Sequence, residues 1–339
     1  MNILVTGGAG FIGSHTIVEL SKAGYNSIIL DDFSNSERKV LEGIEKLIGT
    51  KPICYVGDCG DSKLLNQIFA ENKIDAVIHF AASKAVGESV SNPLKYYKNN
   101  VAATVILLEF MLKNGIINLV FSSSCTVYGE PDSLPVTENS SIKPANSPYG
   151  NTKQICEEII ADTVNASNLR AISLRYFNPI GAHESALIGE LPKGTPANLV
   201  PFVTQVGIGQ RTELQVFGDD YATNDGTCVR DYIHVVDLAE AHLAAVDLLL
   251  KNNVSESNYH VFNIGTGQGN SVLEVINTFE EVAGKTLNYR ILPRREGDVT
   301  AVYGEVTKAK NELGWQTKKS LKDALADAWR WQQKISSIG

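Results

Sequence analysis

Neither a membrane-length apolar run, nor an internal repeat, nor a low-complexity linker occurs in this chain. Basic charge is in deficit: 30 Lys and Arg face 38 Asp and Glu, a formal net charge of -8. That balance argues against a nucleic-acid partner, which calls for a basic face. An anionic ligand must instead be held by local Arg and Lys and by backbone amides. Cysteine is scarce. Cys54, Cys59, Cys125, Cys156 and Cys228 are odd in number and scattered, with no C-x-x-C pair. They read as reduced thiols of an intracellular protein, not as a disulfide framework or a zinc site. His15, His183 and His234 are not spaced as metal ligands, so no metal is expected. The N-terminus, Met1-Asn2-Ile3-Leu4-Val5-Thr6-Gly7, lacks a basic leader region. It predicts no signal peptide, no membrane attachment and a cytoplasmic location.

What is present is an ordinary globular composition, 339 residues with 43% hydrophobic and 20% charged, enough for one large core or two domains. Short apolar runs at Ile3–Thr6, Ser27–Leu30, Ile53–Val56, Ala76–Phe80, Leu119–Ser122 and Ala171–Arg175 read as strands. Helical patterns lie between them at Gly13–Ala23, Ser36–Ile48, Lys63–Ala70, Pro93–Lys113 and Gly150–Val164. Continuous apolar strands alternating with helices predict an α/β fold with a doubly wound, mostly parallel sheet. From about residue 180 the elements shorten. Helices are expected at Asn198–Gly209, Val235–Lys251, Ser271–Val282 and Leu321–Gln333, and strands at Glu213–Phe217, Tyr259–Ile264 and Leu287–Leu292. A smaller C-terminal α/β lobe should pack on the sheet, leaving a cleft between the two.

The first strand runs into Gly7-Gly8-Ala9-Gly10-Phe11-Ile12-Gly13 and then a helix. Such a turn lets backbone approach a pyrophosphate, and the helix N-terminus supplies free N–H groups, as in Rossmann-type sheets. Asp31 lies 18 residues beyond Gly13 at the end of the second strand. A carboxylate there can accept from an adenosine ribose and would repel a 2′-phosphate, favouring NAD over NADP. It can also simply end a strand; Asp58, just after the third strand, can accept from the adenine amine or be no more than a turn carboxylate.

Tyr149 and Lys153 are four residues apart at the start of a helix, so a phenol and an ammonium share a face. At ~5 Å and an effective dielectric of ~20 they interact by roughly 3 kcal/mol, about 2 pKa units. The pair is expected to draw the phenol down toward working range, with an oxidised nicotinamide as a second cation. The spacing also occurs by chance on solvated helices.

Further motifs are His79-Phe80-Ala81-Ala82, Asn99, Ser122-Ser123-Ser124 and Tyr149-x-x-x-Lys153. Together they resemble the extended short-chain dehydrogenase/reductase family. Four more segments resemble its UDP-sugar 4-epimerases, essentially end to end: Lys84–Ser89, Arg175–Pro179, Gly226–His234 and Pro293–Asp298.

The resemblance implies a Rossmann NAD-binding domain over 1–178, with later segments returning to it, and a mainly UDP-sugar-binding lobe over 179–339. The NAD site would be lined by Gly7, Gly10, Phe11, Ile12 and Gly13. Asp31, Asp32, Phe33, Ser34, Asn35 and Ser36 would follow, then Asp58 and Cys59. Phe80, Ala81, Ala82, Ser83, Lys84, Asn99, Ser124, Tyr149, Lys153 and Phe177 would complete it. The UDP-sugar would meet Ser124 and Tyr149 and be held by Asn178, Asn198, Leu199, Gln215, Val216, Phe217, Arg230, Arg295 and Asp298. Two arginines suit a diphosphate through bidentate bonds. Read without the family, Arg230-Asp231 could equally be an internal salt bridge. His79 and Cys125 can be explained by packing alone.

The implied reaction interconverts UDP-glucose and UDP-galactose through a 4-keto sugar. Tyr149 would serve as base and acid, Ser124 as partner of the 4-oxygen, and Lys153 as the cation that lowers the phenol pKa. Val302 falls where the family sets tolerance at the sugar 2-position, and a valine there suggests some use of UDP-N-acetylhexosamines. A homodimer is implied, through Pro93–Lys113 and the Tyr149 helix. Two other classes remain. One is a sibling nucleotide-sugar enzyme such as a 4,6-dehydratase or a decarboxylase. Dehydratases carry Asp-Glu after the residue matching Ser124, where this chain has Cys125-Thr126. The other is a non-catalytic NAD-binding regulator, which would not need Ser124, Tyr149 and Lys153.

Overall fold

Strand β1 (Asn2–Thr6) sits mid-sheet, with Ile3, Leu4 and Val5 wholly buried. Ile3 and Val5 join the apolar layer on one face and Leu4 the layer on the other, the period-two alternation of a strand covered on both sides. The computed structural model describes residues 1–251, 257–295 and 298–338; Glu296 and Gly297 of the Pro293–Asp298 motif lie outside them.

The chain continues through α1 (Phe11–Lys22), β2 (Asn26–Asp31), α2 (Val40–Ile48), β3 (Ile53–Val56), α3 (Ser62–Glu71) and β4 (Ala76–His79). Next come α4 (Val86–Ser91), α5 (Pro93–Tyr96), α6 (Ala103–Lys113), β5 (Asn118–Ser122), α7 (Pro148–Ala166) and β6 (Arg170–Tyr176). The second half holds β7 (Asn178–Ile180), α8 (Leu199–Gly207), β8 (Leu214–Phe217), β9 (Val229–Arg230), β10 (Tyr232–His234), α9 (Val235–Leu250) and β11 (Tyr259–Ile264). It ends with β12 (Asn270–Ser271), α10 (Val272–Ala283), β13 (Tyr289–Leu292), β14 (Ala301–Val302) and α11 (Leu321–Ile338).

Seven strands form one parallel sheet in the order β11-β6-β5-β4-β1-β2-β3. The expected doubly wound α/β sheet is therefore present. Connections leave β1 in opposite directions, toward β2 and toward β4, and this switch point opens a crevice at the carboxyl ends of the strands. Helices α1, α2 and α9 cover one face; α3, α6 and α7 cover the other. Because α9 and β11 come from the second half, the chain crosses between the lobes more than once. The smaller lobe builds its own core from Val203, Val216, Phe279, Leu325 and Trp329.

The predicted helix Pro93–Lys113 is helical throughout, with a π-helical turn, Tyr97–Ala102, between α5 and α6. Asn100 lies in this wide turn. Its amide accepts from Ser83 N at 2.8 Å and donates to Ser83 O and Thr152 Oγ1, both at 3.0 Å. The wide turn thus pins the segment after β4 to α6 and α7, the kind of helix irregularity that gathers at functional sites. Helix α2 starts at Val40, later than the expected Ser36, because Ser36 bonds to Asp31 instead. The capping box on α10 is formed, with Ser271 N donating to Glu274 Oε2 at 2.7 Å.

Candidate active site

The glycine turn lies where β1 delivers it, over the switch point. Gly7 has φ +70°, and a Cβ there would stand 2.8 Å from Ala81 N. A Cβ on Gly13 would fall 2.4 Å from Gly7 O. Both positions exclude any side chain. Helix α1 begins at Phe11 with Gly10 as its N-cap and no side chain capping it, so first-turn amides face the crevice. This cradle suits a dinucleotide pyrophosphate.

Asp31 ends β2 beside the cradle. Its carboxylate accepts from Ala9 N (2.9 Å), Phe33 N (2.9 Å) and Ser36 Oγ (2.8 Å). Burial raises its pKa, and these bonds work against that rise. Three of about four acceptor sites are used, so one remains. Asp31 therefore organises the loop as well as presenting a carboxylate. Asp32 holds the next turn through Ser34 N at 2.8 Å, with Ser34 and Asn35 exposed. Asp58 accepts from Gly60 N at 2.7 Å and is exposed at the same end of the sheet. The Cys59 side chain is buried in the sheet core, where desolvation pushes the thiol up to about 12. Phe80 is half-buried against His242, with ring centroids 4.6 Å apart.

Ser124 follows β5 and caps a 3₁₀ turn, Cys125–Tyr128, accepting from Thr126 N at 3.2 Å. Tyr149 sits in the first turn of α7, which Ser147 caps by accepting from Gly150 N. Lys153 is one turn further and buried. Its ammonium donates to Ser122 O at 2.7 Å and lies 4.8 Å over the Phe121 ring. Burial lowers its pKa to about 8, against opposing pulls from Cys156 and Glu157. The expected depression of the phenol is not what the protein groups produce. Burial holds Tyr149 well above its ordinary value, with Tyr176 adding to the rise and the Ser124 hydroxyl opposing it. Desolvation of the phenol outweighs its neighbours.

His79 is a tie between elements. It reaches Thr6 Oγ1 at 2.7 Å and Thr104 Oγ1 at 3.0 Å, and burial lowers its pKa to about 3. Asn99 donates to Ser83 Oγ at 3.1 Å behind the cradle. Ala81 and Ala82 stand half-buried beside the glycine turn.

Across the crevice, Asp298 joins two arginines. Arg295 reaches it at 2.9 and 3.1 Å, and Arg230 at 3.6 Å. Arg295 also lies 5.1 Å over the Phe217 ring. Asp231 is not the partner of Arg230: it turns inward and accepts from Thr266 N, Thr266 Oγ1 and Gly267 N at 2.8, 2.7 and 3.1 Å. The internal Arg230–Asp231 salt bridge is thereby excluded. On β8, Gln215 is exposed and Phe217 half-exposed, whereas Val216 packs in the core of the smaller lobe. Strand alternation points the Val216 side chain away from Gln215 and Phe217, which leaves its backbone for any contact with the UDP-sugar. Leu199 packs partly on the same core, and Asn178 N donates to Asp231 O at 2.9 Å. Phe177 is buried, and a Cβ at Gly304 would fall 2.4 Å from its ring. Val302 is buried with Phe177, Val127 and Tyr128.

Two residues escaped the sequence reading. Glu190 Oε1 accepts from Asn198 Nδ2 at 2.6 Å and lies 3.7 Å from Lys84 Nζ. Lys193 donates to Phe33 O at 2.6 Å. Both lie in the loop before α8, where no local pattern marks them. Among the described residues, no helix is long and apolar enough to cross a membrane.

A hydroxyl, a phenol and an ammonium brought together beside a glycine cradle at a sheet switch point define an enzyme of the extended short-chain dehydrogenase/reductase class. The family profile described as GDP-mannose 4,6 dehydratase matches residues 4–328. UDP-glucose 4-epimerase of Bacillus subtilis is 50% identical, the match covering 98% of this chain and 97% of that one. The Bifidobacterium longum UDP-glucose 4-epimerase, solved with NAD+ and UDP, is 48% identical with a TM-score of 0.95, covering 99% of each chain. That of Stenotrophomonas maltophila, with NAD and formylated UDP-arabinopyranose bound, is 47% identical with a TM-score of 0.96 over 100% of each. The chain belongs to the UDP-glucose 4-epimerase family.

Proposed function

We propose that this protein interconverts UDP-glucose and UDP-galactose by transient oxidation at C4, using NAD as a bound cofactor. The observation that supports the reading is the contact of the Ser124 hydroxyl with the Tyr149 phenol, with Lys153 one turn further along α7 and Arg230 close to Cys125, the neighbour of Ser124. NAD would be held over the Gly7–Gly13 turn beside Asp31 and would supply a reversible hydride acceptor for C4.

Tyr149 removes the proton of the sugar 4-hydroxyl and, once the 4-keto sugar has turned its other face of C4 to the hydride donor, returns a proton to the 4-oxygen. Ser124 hydrogen-bonds the 4-oxygen. Lys153 uses one N–H on Ser122 O and keeps two for a nicotinamide ribose. Because burial raises the phenol, it ionises at neutral pH only beside further positive charge, such as an oxidised nicotinamide and the N-terminus of α7. Asp31 and Asp58 accept from the adenosine, with the remaining residues of the loops after β2 and β4 around it.

Arg230 and Arg295 grip the diphosphate, Asp298 accepts from the uridine ribose, and Asn178 and Asn198 donate to phosphate. Gln215 and Phe217 meet the uracil. A firmly held nucleotide and a loosely held sugar let the ketone rotate without escaping. Cys125, in the place of a dehydratase acid, is pushed up to about 12 by burial, so it is no acid–base group for losing water.

The N-terminal residues 1–178 carry the cofactor and 179–339 mainly the UDP-sugar. Val302, smaller than an aromatic side chain, would tolerate a substituent at the sugar 2-position, giving some activity on UDP-N-acetylhexosamines. The protein works as a cytoplasmic homodimer; Leu94, Val105 and Leu112 on the expected contact are exposed.

Purified protein supplied with UDP-galactose and no added NAD should form UDP-glucose. A 4-keto-6-deoxy product would mark a dehydratase, and no product a binding protein.

A further inference from the structure

Glu157 and Arg175 form an ion pair that the reaction above does not use. Arg175 Nη2 donates to Glu157 Oε2 at 2.6 Å, and Nε reaches both carboxylate oxygens at 3.0 and 3.2 Å. The two are only 7% and 6% exposed. Burying both charges costs desolvation, and well-packed apolar residues often serve stability as well or better. The pair therefore calls for another reason to be there.

Its contacts supply one. Glu157 Oε1 also accepts from Ser123 Oγ at 2.5 Å, and Ser123 directly precedes Ser124. The Arg175 guanidinium lies 4.9 Å over the Tyr128 ring, at the far end of the turn that Ser124 caps. Tyr128 is held in addition through its hydroxyl, which donates to Asn263 Oδ1 at 2.6 Å. Glu157 sits one helical turn beyond Lys153 and two beyond Tyr149 on α7. The helix that carries the phenol and the ammonium thus also holds the segment that carries the hydroxyl.

We propose that the Glu157–Arg175 pair, acting through Ser123 and Tyr128, positions Ser124 against Tyr149. Glu157, Arg175 and Ser123 are positioning residues and touch no substrate. This rests on the reading of Ser124 given above.

The test is a double-mutant cycle on kcat, with KM and UDP affinity measured alongside. Ser123→Ala removes one hydroxyl and leaves the ion pair intact. It should lower kcat about 10-fold with KM and UDP affinity within about twofold, a transition-state effect. In a Ser124→Ala background the same change should lower kcat less than about twofold, since groups acting through one another are not additive. Glu157→Gln should follow the same pattern if it folds; Ser123→Ala decides the matter if it does not. Equal Ser123→Ala effects in both backgrounds overturn the positioning role while leaving Ser124 in place. Full activity of Ser123→Ala overturns it too. Full activity of Ser124→Ala overturns the Ser124 reading itself, and the positioning role with it.

Discussion

Lys153 reaches back from α7 to donate to the carbonyl of Ser122 at 2.7 Å, fastening the helix of the phenol to the strand that leads into Ser124. The contact keeps an ammonium in a site that is 3% exposed. Several consequences can be measured.

Tyr149→Phe removes the only phenolic proton in the proposed reaction and little packing. Turnover should fall by roughly 10²- to 10⁴-fold, the range of a lost general base, with UDP affinity and thermal midpoint nearly unchanged. Near-normal turnover, by a coupled UDP-glucose assay, would rule Tyr149 out as the base.

Lys153→Met exchanges stability against function. The lysine pKa falls from 10.5 to about 8 in the folded protein. Between those values the unfolded chain binds more protons, so this residue's contribution to stability rises with pH. The penalty for burying the charge is thus fullest below pH 8 and is relieved toward pH 10.5. Urea unfolding should show the variant gaining on the parent at pH 7 and losing that advantage by about pH 10, a difference on the order of 3 kcal/mol. Its activity should be lost. A pH-independent difference would contradict the buried ammonium.

Gly13→Ala puts a methyl 2.4 Å from Gly7 O, against backbone that cannot yield cheaply. Overpacking of this kind costs about 1–3 kcal/mol. The purified variant should carry little nucleotide, read from its absorbance at 260 against 280 nm. Full nucleotide content would show that the cradle is not the pyrophosphate site.

Arg230→Met leaves Arg295 as the only partner of Asp298 among the described residues. Titration calorimetry with UDP should show affinity reduced by roughly 10- to 150-fold, the loss of about 1.5–3 kcal/mol in a charged hydrogen bond. Unchanged affinity would remove Arg230 from the diphosphate grip.

Val302→Tyr should abolish activity on UDP-N-acetylgalactosamine and spare UDP-galactose, while Val302→Ala should raise the former. Val302 packs against Phe177 and Tyr128, so thermal midpoints must be compared as well. If neither parent nor Val302→Ala turns over the N-acetylated sugar, Val302 is a packing residue only.

Much of the fold is legible in the chain. The runs that became β1 to β6 and β11 are apolar on both faces, which only a doubly covered parallel sheet requires. The glycine turn and the Tyr149–Lys153 spacing are also local, because a strand–turn–helix and a helical turn each lie within a few residues. The π-helical turn within Pro93–Lys113 is not local. It depends on Asn100 meeting Ser83 and Thr152, 17 and 52 residues away. Ser123, Glu157 and Arg175 each look ordinary in sequence until three elements bring them together.

The sequence by itself determined which groups were available: a side-chain-free turn, a phenol four residues before a lysine, and two arginines for a diphosphate. The tertiary structure decided what those groups can do. It sent Val216 and Cys59 into the cores, separated Arg230 from Asp231, and set Glu190 between Lys84 and Asn198. It also buried the Tyr149 phenol, which raises its pKa among the protein groups alone. The reason is physical. Spacing along a helix fixes which side chains are neighbours, but a pKa depends on how much water the surrounding chain excludes, and that is settled only once distant segments have packed.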